Sequence, residues 1–235
     1  MMDTISIFIP LRSGSQRIKG KNHKKFAPNG DSLFEFKLNQ ILKIHNEVFE
    51  IVVSTDDPII IEKSKKYKYS IPNLRVVKRE NQLCLGNTKV SDLIKHAEEN
   101  TLGSEIFWIH VTSPFVDHID YLSAISKYKI CKREKKGDSL MSVNKIQQFI
   151  WDDSQRVIIN NKNKANKWPN TQDLKPLYEI NHAFYINSRN NYINMKDRIG
   201  LKPSLYICDG IKSIDIDWPN DFKLAQELIQ FYEQD

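Results

Sequence analysis

Residues 5 to 22 read Ile5-Ser6-Ile7-Phe8-Ile9-Pro10-Leu11-Arg12-Ser13-Gly14-Ser15-Gln16-Arg17-Ile18-Lys19-Gly20-Lys21-Asn22. The run from Ile5 to Ile9 is apolar and largely β-branched, which is typical of a strand buried in a parallel sheet. Pro10 cannot donate a hydrogen bond to a sheet ladder, so we expect the strand to end there. This stretch therefore predicts a buried strand that leads directly into a loop.

The predicted loop combines three small residues with four cations. The small residues are Ser13, Gly14 and Ser15, and the cations are Arg12, Arg17, Lys19 and Lys21. Small residues let backbone N–H groups approach a ligand, and cations attract phosphate, so the loop suits a nucleoside triphosphate. Two common phosphate motifs, G-x-x-x-x-G-K-[ST] and G-x-G-x-x-G, are absent from it. A solvated surface loop is the alternative interpretation.

The composition argues against several classes of protein. A chain of 235 residues, 40% of them hydrophobic, is long enough for one α/β domain with a full core. The 35 Lys and Arg residues against 29 Asp and Glu residues give a net charge of +6, but the cations form no continuous stripe, so we expect no nucleic-acid partner. Three isolated cysteines, no signal peptide and no run of about 20 apolar residues predict a reduced, cytoplasmic protein with no membrane partner.

Apolar runs and helix signals alternate along the first half of the sequence. Beyond the opening loop we expect helices over 33–42 and 58–67, a helix that opens within 83–94, strands over 49–53 and 74–77, and a strand from 105 that ends in a polar turn by 114. Strands that alternate with helices predict parallel βαβ units. Ligands bind at the carboxyl ends of such strands.

The opening stretch resembles the signature of a known family. Residues 9 to 18, with Lys21 and Asn22, are similar to the I-P-A-R-x-G-S-K-R-I-x-x-K-N motif of the acylneuraminate cytidylyltransferases, the CMP-sialic acid synthetases. The resemblance implies an α/β fold with a Rossmann-like, mostly parallel sheet flanked by helices, of the nucleotide-diphospho-sugar transferase type. It also implies a single domain over 1–235, with a dimerisation and sugar-binding excursion at about 139–180, and a homodimer. Trp151 and Trp168 are candidate anchors of the dimer interface, with a minor core as the alternative.

The resemblance also implies which residues bind CTP. Arg79 and Ser91 match an arginine and a small polar residue that lie near the nucleotide base in the family. A planar guanidinium can bond two acceptor atoms of cytosine at once, whereas a plain surface cation is the alternative for Arg79. The predicted nucleotide-binding residues are Leu11, Arg12, Ser13, Gly14, Ser15, Lys21, Asn22, Arg79 and Ser91.

A second motif covers residues 213–225, which are similar to the family's S-I-D-I-D-x-x-x-D-x-x-x-A. If this segment is a strand, alternation places Asp215 and Asp217 on one face. Two carboxylates on one face repel each other unless a cation lies between them, and we therefore expect Mg²⁺ at this pair. An acidic strand edge is the alternative, and Asp221 is expected to cap a helix. The predicted catalytic residues are Arg12, Lys21 and Asp217.

The predicted acceptor side departs from the family pattern in its charges. Members that use sialic acid or related sugar acids hold a carboxylate, and arginines are expected near it. In this sequence Val116, Asn170 and Glu179 stand where the family has arginines. Lys167 and Lys175 are the candidate substitutes.

Two histidines also replace family residues on this side. His110 stands where a glutamine is usual, and His182 stands where a glycine is usual. A lone histidine at the end of a strand is more often structural than catalytic. The predicted acceptor-binding residues are His110, Thr112, Ser113, Gln172 and Asn181.

Taken together, the motifs imply a CTP-dependent cytidylyltransferase. In that reaction a sugar hydroxyl attacks the α-phosphate of CTP, pyrophosphate leaves and a CMP-sugar forms, while the protein contributes mainly positioning and charge stabilisation. The expected acceptor is a sialic acid-like sugar acid or a related sugar. One alternative is a catalytically silent nucleotide-binding paralogue, which the altered acceptor side favours. A metal-dependent UDP-sugar glycosyltransferase is another, but the opening loop suits a nucleotidyl donor better.

Overall fold

A computed structural model of the chain describes residues 3 to 163 and 165 to 232. In this part, seven strands form one sheet and two short strands form a separate hairpin. The sheet strands are β1 (Ile5–Leu11), β2 (Glu50–Thr55), β3 (Leu74–Lys78), β4 (Glu105–Ile109), β5 (Ser139–Ile146), β8 (Leu177–Ser188) and β9 (Pro203–Ile207), and the hairpin strands are β6 (Trp151–Asp152) and β7 (Val157–Ile158).

The strands of the sheet lie in the order β3-β2-β1-β4-β8-β5-β9. Only β8 runs antiparallel to its neighbours, β4 and β5, and every other pairing in the sheet is parallel. Because β2 lies on one side of β1 and β4 on the other, the order of the strands reverses at β1. The carboxyl ends of β1 and β4 therefore flank a topological switch point, where ligands bind in open α/β sheets. The predicted Rossmann-like, mostly parallel sheet is confirmed.

Helices cover both faces of the sheet. They are α1 (Leu33–Leu42), α2 (Pro58–Tyr67), α3 (Val90–Glu99), α4 (His118–Arg133), α5 (Arg189–Met195) and α6 (Pro219–Tyr232). None of the described helices is both long enough and apolar enough to cross a membrane.

Two apolar cores lie on opposite faces of the sheet because side chains alternate along β1. Ile7 and Ile9 belong to the larger core, to which α1, α4 and α6 also contribute. Phe8 belongs to the smaller core with Trp108 and Tyr185, to which α3 and α5 contribute. All five side chains are at most 1% exposed. Burial on both faces explains why β1 reads as one continuous apolar run.

The bounds predicted for α1 and α2 are confirmed, because local signals fix both helices. At the start of α1, the Ser32 side chain accepts a hydrogen bond from the backbone N–H of Glu35, and the Glu35 carboxylate accepts one from the backbone N–H of Ser32. This reciprocal capping box satisfies two backbone donors that the helix leaves free. At the start of α2, Asp57 accepts from the N–H of Ile59, and Pro58 occupies the first helical position.

The predicted end of β1 is wrong. Strand β1 does not end at Pro10 but continues to Leu11, paired with β2. The pairing of β1 with β4 has already stopped at Phe8, so the missing N–H of Pro10 removes no bond from that ladder. Helix α3 begins at Val90, within the stretch of 83–94 predicted from sequence, after a turn that the Gly-Asn pair at 86–87 favours and a single 3-10 turn at 81–83.

The segment that leaves the sheet runs from 147 to 176 and contains the β6–β7 hairpin. The predicted bounds of the excursion, 139 and 180, include residues that the structure places in β5 and at the start of β8. Those residues pair with each other in the central sheet. Trp151 and Trp168 lie in the excursion with 49% and 67% of their surfaces exposed, so neither belongs to a minor core.

Strand β8 carries a bulge beside the carboxyl end of β4. Met141 pairs with Tyr185 and Val143 pairs with Ile180, so residues 181–184 of β8 lie opposite a single residue of β5. Within this bulge His182 has a φ of +59°, in the left-handed region that favours glycine. This conformation accounts for the glycine expected at position 182. Bulges of this kind commonly lie next to active sites, where they redirect side chains.

Candidate active site

A cleft of about 490 Å³ opens at the switch point of the sheet. Four segments that are distant in sequence line it: the loop after β1, Gly86 in the turn before α3, the loop after β4, and the segment before α6. The predicted site residues that line this cleft are Leu11, Arg12, Ser15, Lys21, Asn22, His110, Thr112 and Asp217. The predicted loop, strand end and acidic segment thus come together in one place.

The loop after β1 is held in shape by hydrogen bonds to its own residues and to β2's carboxyl end. The backbone N–H and the hydroxyl group of Ser13 donate to the two carboxylate oxygens of Asp56 at 2.8 and 2.6 Å. Burial alone would raise the pKa of Asp56, but the hydrogen bonds from Ser13 lower it. Asn22 donates to the carbonyl of Arg12 at 3.2 Å. Ser13 and Asn22 thereby support the loop, while Arg12 and Ser15 face the cleft.

Ile216 joins three of these segments through its backbone. The ammonium group of Lys21 donates to the Ile216 carbonyl at 2.7 Å, and the Ile216 N–H donates to the Thr112 carbonyl at 2.8 Å. Burial lowers the pKa of Lys21, and the nearby carboxylates of Asp217 and Asp215 offset part of this shift. The Lys21 nitrogen lies 3.8 Å from Asp217. One lysine therefore bonds to the acidic segment and faces the cleft.

Asp215 and Asp217 flank Ile216, but the predicted strand is absent. Residues 214–217 form an irregular segment that follows a 3-10 helix, and one backbone bond to Thr112 fixes them beside the loop after β4 instead of in the sheet. The Asp217 carboxylate pairs with Arg17 at 2.9 Å. Asp221 accepts hydrogen bonds from the N–H groups of Asp217 and Trp218, which confirms its predicted role at the start of α6.

The chemistry of this carboxylate pair fits a divalent cation. One carboxylate oxygen of Asp215 is buried and has no hydrogen-bond partner among the described residues. Burial raises the pKa of Asp215, and the negative charge of Asp217 adds to this shift. A hard cation such as Mg²⁺ would satisfy the buried oxygen and reduce the repulsion. The described residues contain no group of three or more His, Cys, Asp or Glu side chains suited to a metal. A cation here would therefore have two carboxylate ligands, Asp215 and Asp217.

Arg79 and Ser91 do not line the cleft. Arg79 is only 3% exposed, which excludes the surface-cation alternative. Its guanidinium donates to the hydroxyl and the carbonyl oxygen of Ser54 at 3.2 and 2.9 Å, and burial lowers its pKa. Ser91 lies exposed in the first turn of α3 with its hydroxyl directed to Asp92. Sequence alone could not reveal that the arginine after β3 folds back onto the end of β2.

His110 lines the cleft as a neutral imidazole. Its Nε2 accepts a hydrogen bond from the indole N–H of Trp108 at 2.9 Å, and its backbone N–H donates to the carbonyl of Ala183. Burial lowers the pKa of His110 to about 3, and the positive charge of Arg198 contributes to the shift. A histidine with so low a pKa and an occupied Nε2 is poorly suited to act as a general base at that nitrogen.

The remaining predicted acceptor residues are bonded elsewhere. Ser113 is buried, and its carbonyl accepts from Lys37. The carbonyl of Gln172 accepts from Gln147 within the excursion. Asn181 donates to Asn144 at 2.8 Å and accepts from the N–H of Ala183, inside the bulge of β8. In this chain these three residues maintain local structure and do not line the cleft.

Several residues that line the cleft were not assigned to it from sequence. They are Pro10, Gln16, Arg17, Ile18, Gly86 and Val111. Arg17 lies in the opening motif, and its pairing with Asp217 depends on the fold. Gly86 carries no sequence signal of function, and it lies beside the Gln16 side chain, whose amide nitrogen would be 2.8 Å from a Cβ at this position.

Comparison with known proteins identifies similar sequences and folds. The family model described as cytidylyltransferase matches residues 6–235. The CMP-N,N'-diacetyllegionaminic acid synthase of Legionella pneumophila is 27% identical over 96% of this chain and 96% of its own length. The N-acylneuraminate cytidylyltransferase of Escherichia coli O18:K1:H7 is 26% identical over 98% of this chain and 53% of its own length.

A solved structure has the same fold at lower sequence identity. It is a CMP:2-keto-3-deoxy-manno-octonic acid synthetase complexed with CTP, with a TM-score of 0.64 and 14% identity. The alignment covers 97% of this chain and 99% of that chain.

We expect His110 to stay neutral at physiological pH, so its ring signals in an NMR titration should not move between about pH 5 and pH 8. An unfolded histidine titrates near pH 6.5, whereas burial lowers the pKa in the folded protein to about 3. Between these two pKa values only the unfolded state binds a proton at this histidine. The free energy of unfolding should therefore fall as the pH is lowered below about 6.5.

The matched variant is His110→Gln, which keeps an acceptor for the Trp108 indole but does not titrate. It should lose this part of the pH dependence of stability. An identical pH dependence in both proteins, or a His110 signal that titrates near pH 6.5, would contradict the assignment.

Proposed function

Because the chain belongs to the cytidylyltransferase family, we propose that it transfers CMP from CTP to a hydroxyl group of a sialic acid-like, nonulosonic sugar acid. The oxygen of the sugar hydroxyl forms a bond to the α-phosphorus of CTP, the bond to the β-phosphate breaks, and pyrophosphate leaves. The proton of the hydroxyl group is released to the surroundings. The names of the two curated relatives support this reaction class.

The main support for the proposal is that cations and carboxylates lie together at one cleft. Arg12 faces the cleft, and among the described residues no carboxylate lies within 4.0 Å of its guanidinium nitrogens. Lys21 lies beside it on the same loop. A guanidinium and an ammonium group are well suited to the oxygens of a triphosphate and to the charge that moves onto the leaving pyrophosphate. The chain thereby supplies positioning and charge stabilisation, which dominate phosphoryl-type transfer.

Asp215 and Asp217 would hold Mg²⁺ in this proposal. The cation would screen the negative charge of the phosphates. The buried, unpartnered oxygen of Asp215 supports the assignment. Arg17 pairs with Asp217 in this structure, and a cation would compete with it for that carboxylate.

We also infer a cytoplasmic homodimer. The described cysteines Cys84, Cys131 and Cys208 are all free, which suits a reducing compartment. The exposed indoles of Trp151 and Trp168 support the use of the excursion as an interface, because aromatic residues are enriched at the centres of interfaces. The positions of Lys21, Asp215 and Asp217, which all lie at the cleft or beside it, argue against a catalytically silent protein.

Pyrophosphate release tests the proposed reaction directly. The protein with Mg²⁺ should release pyrophosphate from CTP in the presence of one of four sugar acids: N-acetylneuraminic, legionaminic, pseudaminic or 3-deoxy-octulosonic acid. The rate with CTP should exceed that with ATP, GTP or UTP at least about tenfold, because a site built to hydrogen-bond one base rejects others. Chelation of Mg²⁺ should abolish the release. Binding of CTP without turnover of any acid would restore the silent paralogue.

The metal assignment predicts a loss of activity in Asp217→Asn. We expect its Mg²⁺-dependent rate to fall about 100-fold or more, because the amide removes the negative charge that holds the cation. The midpoint of thermal unfolding should change little, since the Asp217 side chain is 53% exposed and exposed ion pairs contribute little to stability.

Asp209→Asn is the control, because Asp209 is an exposed carboxylate near the same segment. It should retain the full rate. Mn²⁺ binding in the presence of CTP, followed by electron paramagnetic resonance, should weaken only in Asp217→Asn. Unchanged Mn²⁺ affinity in both variants would remove Asp217 from the metal site.

A further inference from the structure

An arginine without a counter-ion lies beside the cleft. Arg198 belongs to the loop between α5 and β9 and is partly buried. Among the described residues, no carboxylate lies within 4.0 Å of its guanidinium nitrogens. Partly buried charges in proteins are normally paired, so an unpaired guanidinium next to a ligand cleft indicates an anionic partner.

The guanidinium lies on an aromatic platform. Its central carbon is 4.1 Å from the ring centre of Tyr185 and 5.3 Å from that of Trp108. These two aromatic residues face each other across the β4–β8 ladder and are each 1% exposed, so the platform is rigid. Contact with the two ring faces fixes the orientation of the guanidinium and leaves its edge to bind a ligand.

One nitrogen of the guanidinium has a protein partner, and the others do not. Nη2 of Arg198 donates to Nδ1 of His182 at 3.4 Å. The Tyr185 hydroxyl lies 2.6 Å from the same Nδ1, so the bulge of β8 also contacts the arginine. Nε and Nη1 donate to no acceptor within the described ranges 3–163 and 165–232. A planar fork with free donors matches a carboxylate, which can accept two parallel hydrogen bonds.

The position of Arg198 separates it from the phosphate-binding loop. Arg198 contacts residues of β4 and β8, whereas the loop with Arg12 and Lys21 follows β1, which lies on the other side of β4 in the sheet. His110, at the end of β4, lies between them and lines the cleft. The positive charges of Arg198 and Lys21 both contribute to the lowered pKa of His110, so both cations lie near the imidazole.

We propose that Arg198 binds the carboxylate of the sugar-acid acceptor and selects acids over neutral sugars. This inference rests on the proposed function, because it names the group of the acceptor that the same site recognises. It also gives the chain a cation on its acceptor side, where Val116, Asn170 and Glu179 provide none.

The test compares wild type with Arg198→Ala in the presence of CTP, Mg²⁺ and the acid that reacts fastest. We expect the KM for the acid to rise about 10- to 100-fold, since hydrogen bonds between charged groups increase binding affinity by factors of this size. The KM for CTP should stay within about twofold of wild type. With the methyl ester of the same acid, which carries no negative charge, the two proteins should differ little.

Two further variants separate binding from structure. Arg198→Lys keeps the charge but loses the planar fork, and it should recover part of the affinity for the acid. Lys202→Ala removes an exposed cation from the same loop and should behave as wild type.

Two outcomes with Arg198→Ala would overturn the proposal. An equal rise in the KM for CTP would assign Arg198 to the phosphates, and an equal loss with acid and ester would make its role structural. Failure of the proposed function is distinct, since wild type itself would then release no pyrophosphate from CTP with any acceptor.

Discussion

The backbone of Ile216 is the constraint on which the candidate site depends. Its carbonyl accepts the Lys21 ammonium at 2.7 Å, 195 residues away in sequence, and its N–H donates to Thr112 at 2.8 Å. Its side chain is fully buried, so the larger core holds this residue in place. Asp215 and Asp217 are its neighbours, and their positions beside the opening loop follow from the same two hydrogen bonds. The core thereby fixes the geometry of three otherwise independent loops.

Burial shifts the charged groups around this constraint toward their neutral forms. It lowers the pKa of Lys21 and raises that of Asp215, so both charged forms are less stable in the folded cleft than in water. In the proposed complex, phosphate oxygens near Lys21 and a cation near Asp215 would compensate these charges. Preorganised polar groups in a partly buried site stabilise a developing charge without the cost of reorganising water.

Sequence patterns predicted those parts of the fold that depend on local signals. The helical spacing of Phe34, Leu38, Ile41 and Leu42 and the Asp57-Pro58 pair predicted the bounds of α1 and α2 correctly, and strand–helix alternation predicted the parallel sheet. The opening motif and the acidic segment also contain most of the residues that line the cleft, although several of them were not assigned to it from sequence. In each case a residue's role follows from its immediate neighbours or from a motif.

The features that sequence missed depend on contacts between distant segments. Arg79 folds back onto the end of β2, and the acidic segment lies against the loop after β4 without joining the sheet as a strand. Arg198 belongs to no motif, and it contacts both Tyr185 and Trp108 only because β8 pairs antiparallel to β4 and brings these two residues together. Periodicity and spacing contain no information about such pairings, since a strand's neighbours and direction are set by the whole sheet.

A crystal structure with CTP and Mn²⁺ tests the central claim, that the loops joined at Ile216 form one nucleotide and metal site. We expect phosphate oxygens within hydrogen-bond distance of Arg12 and Lys21, and an anomalous Mn²⁺ signal at the carboxylates of Asp215 and Asp217. A nucleotide bound away from this cleft, or a Mn²⁺ ion that contacts neither carboxylate, would contradict it.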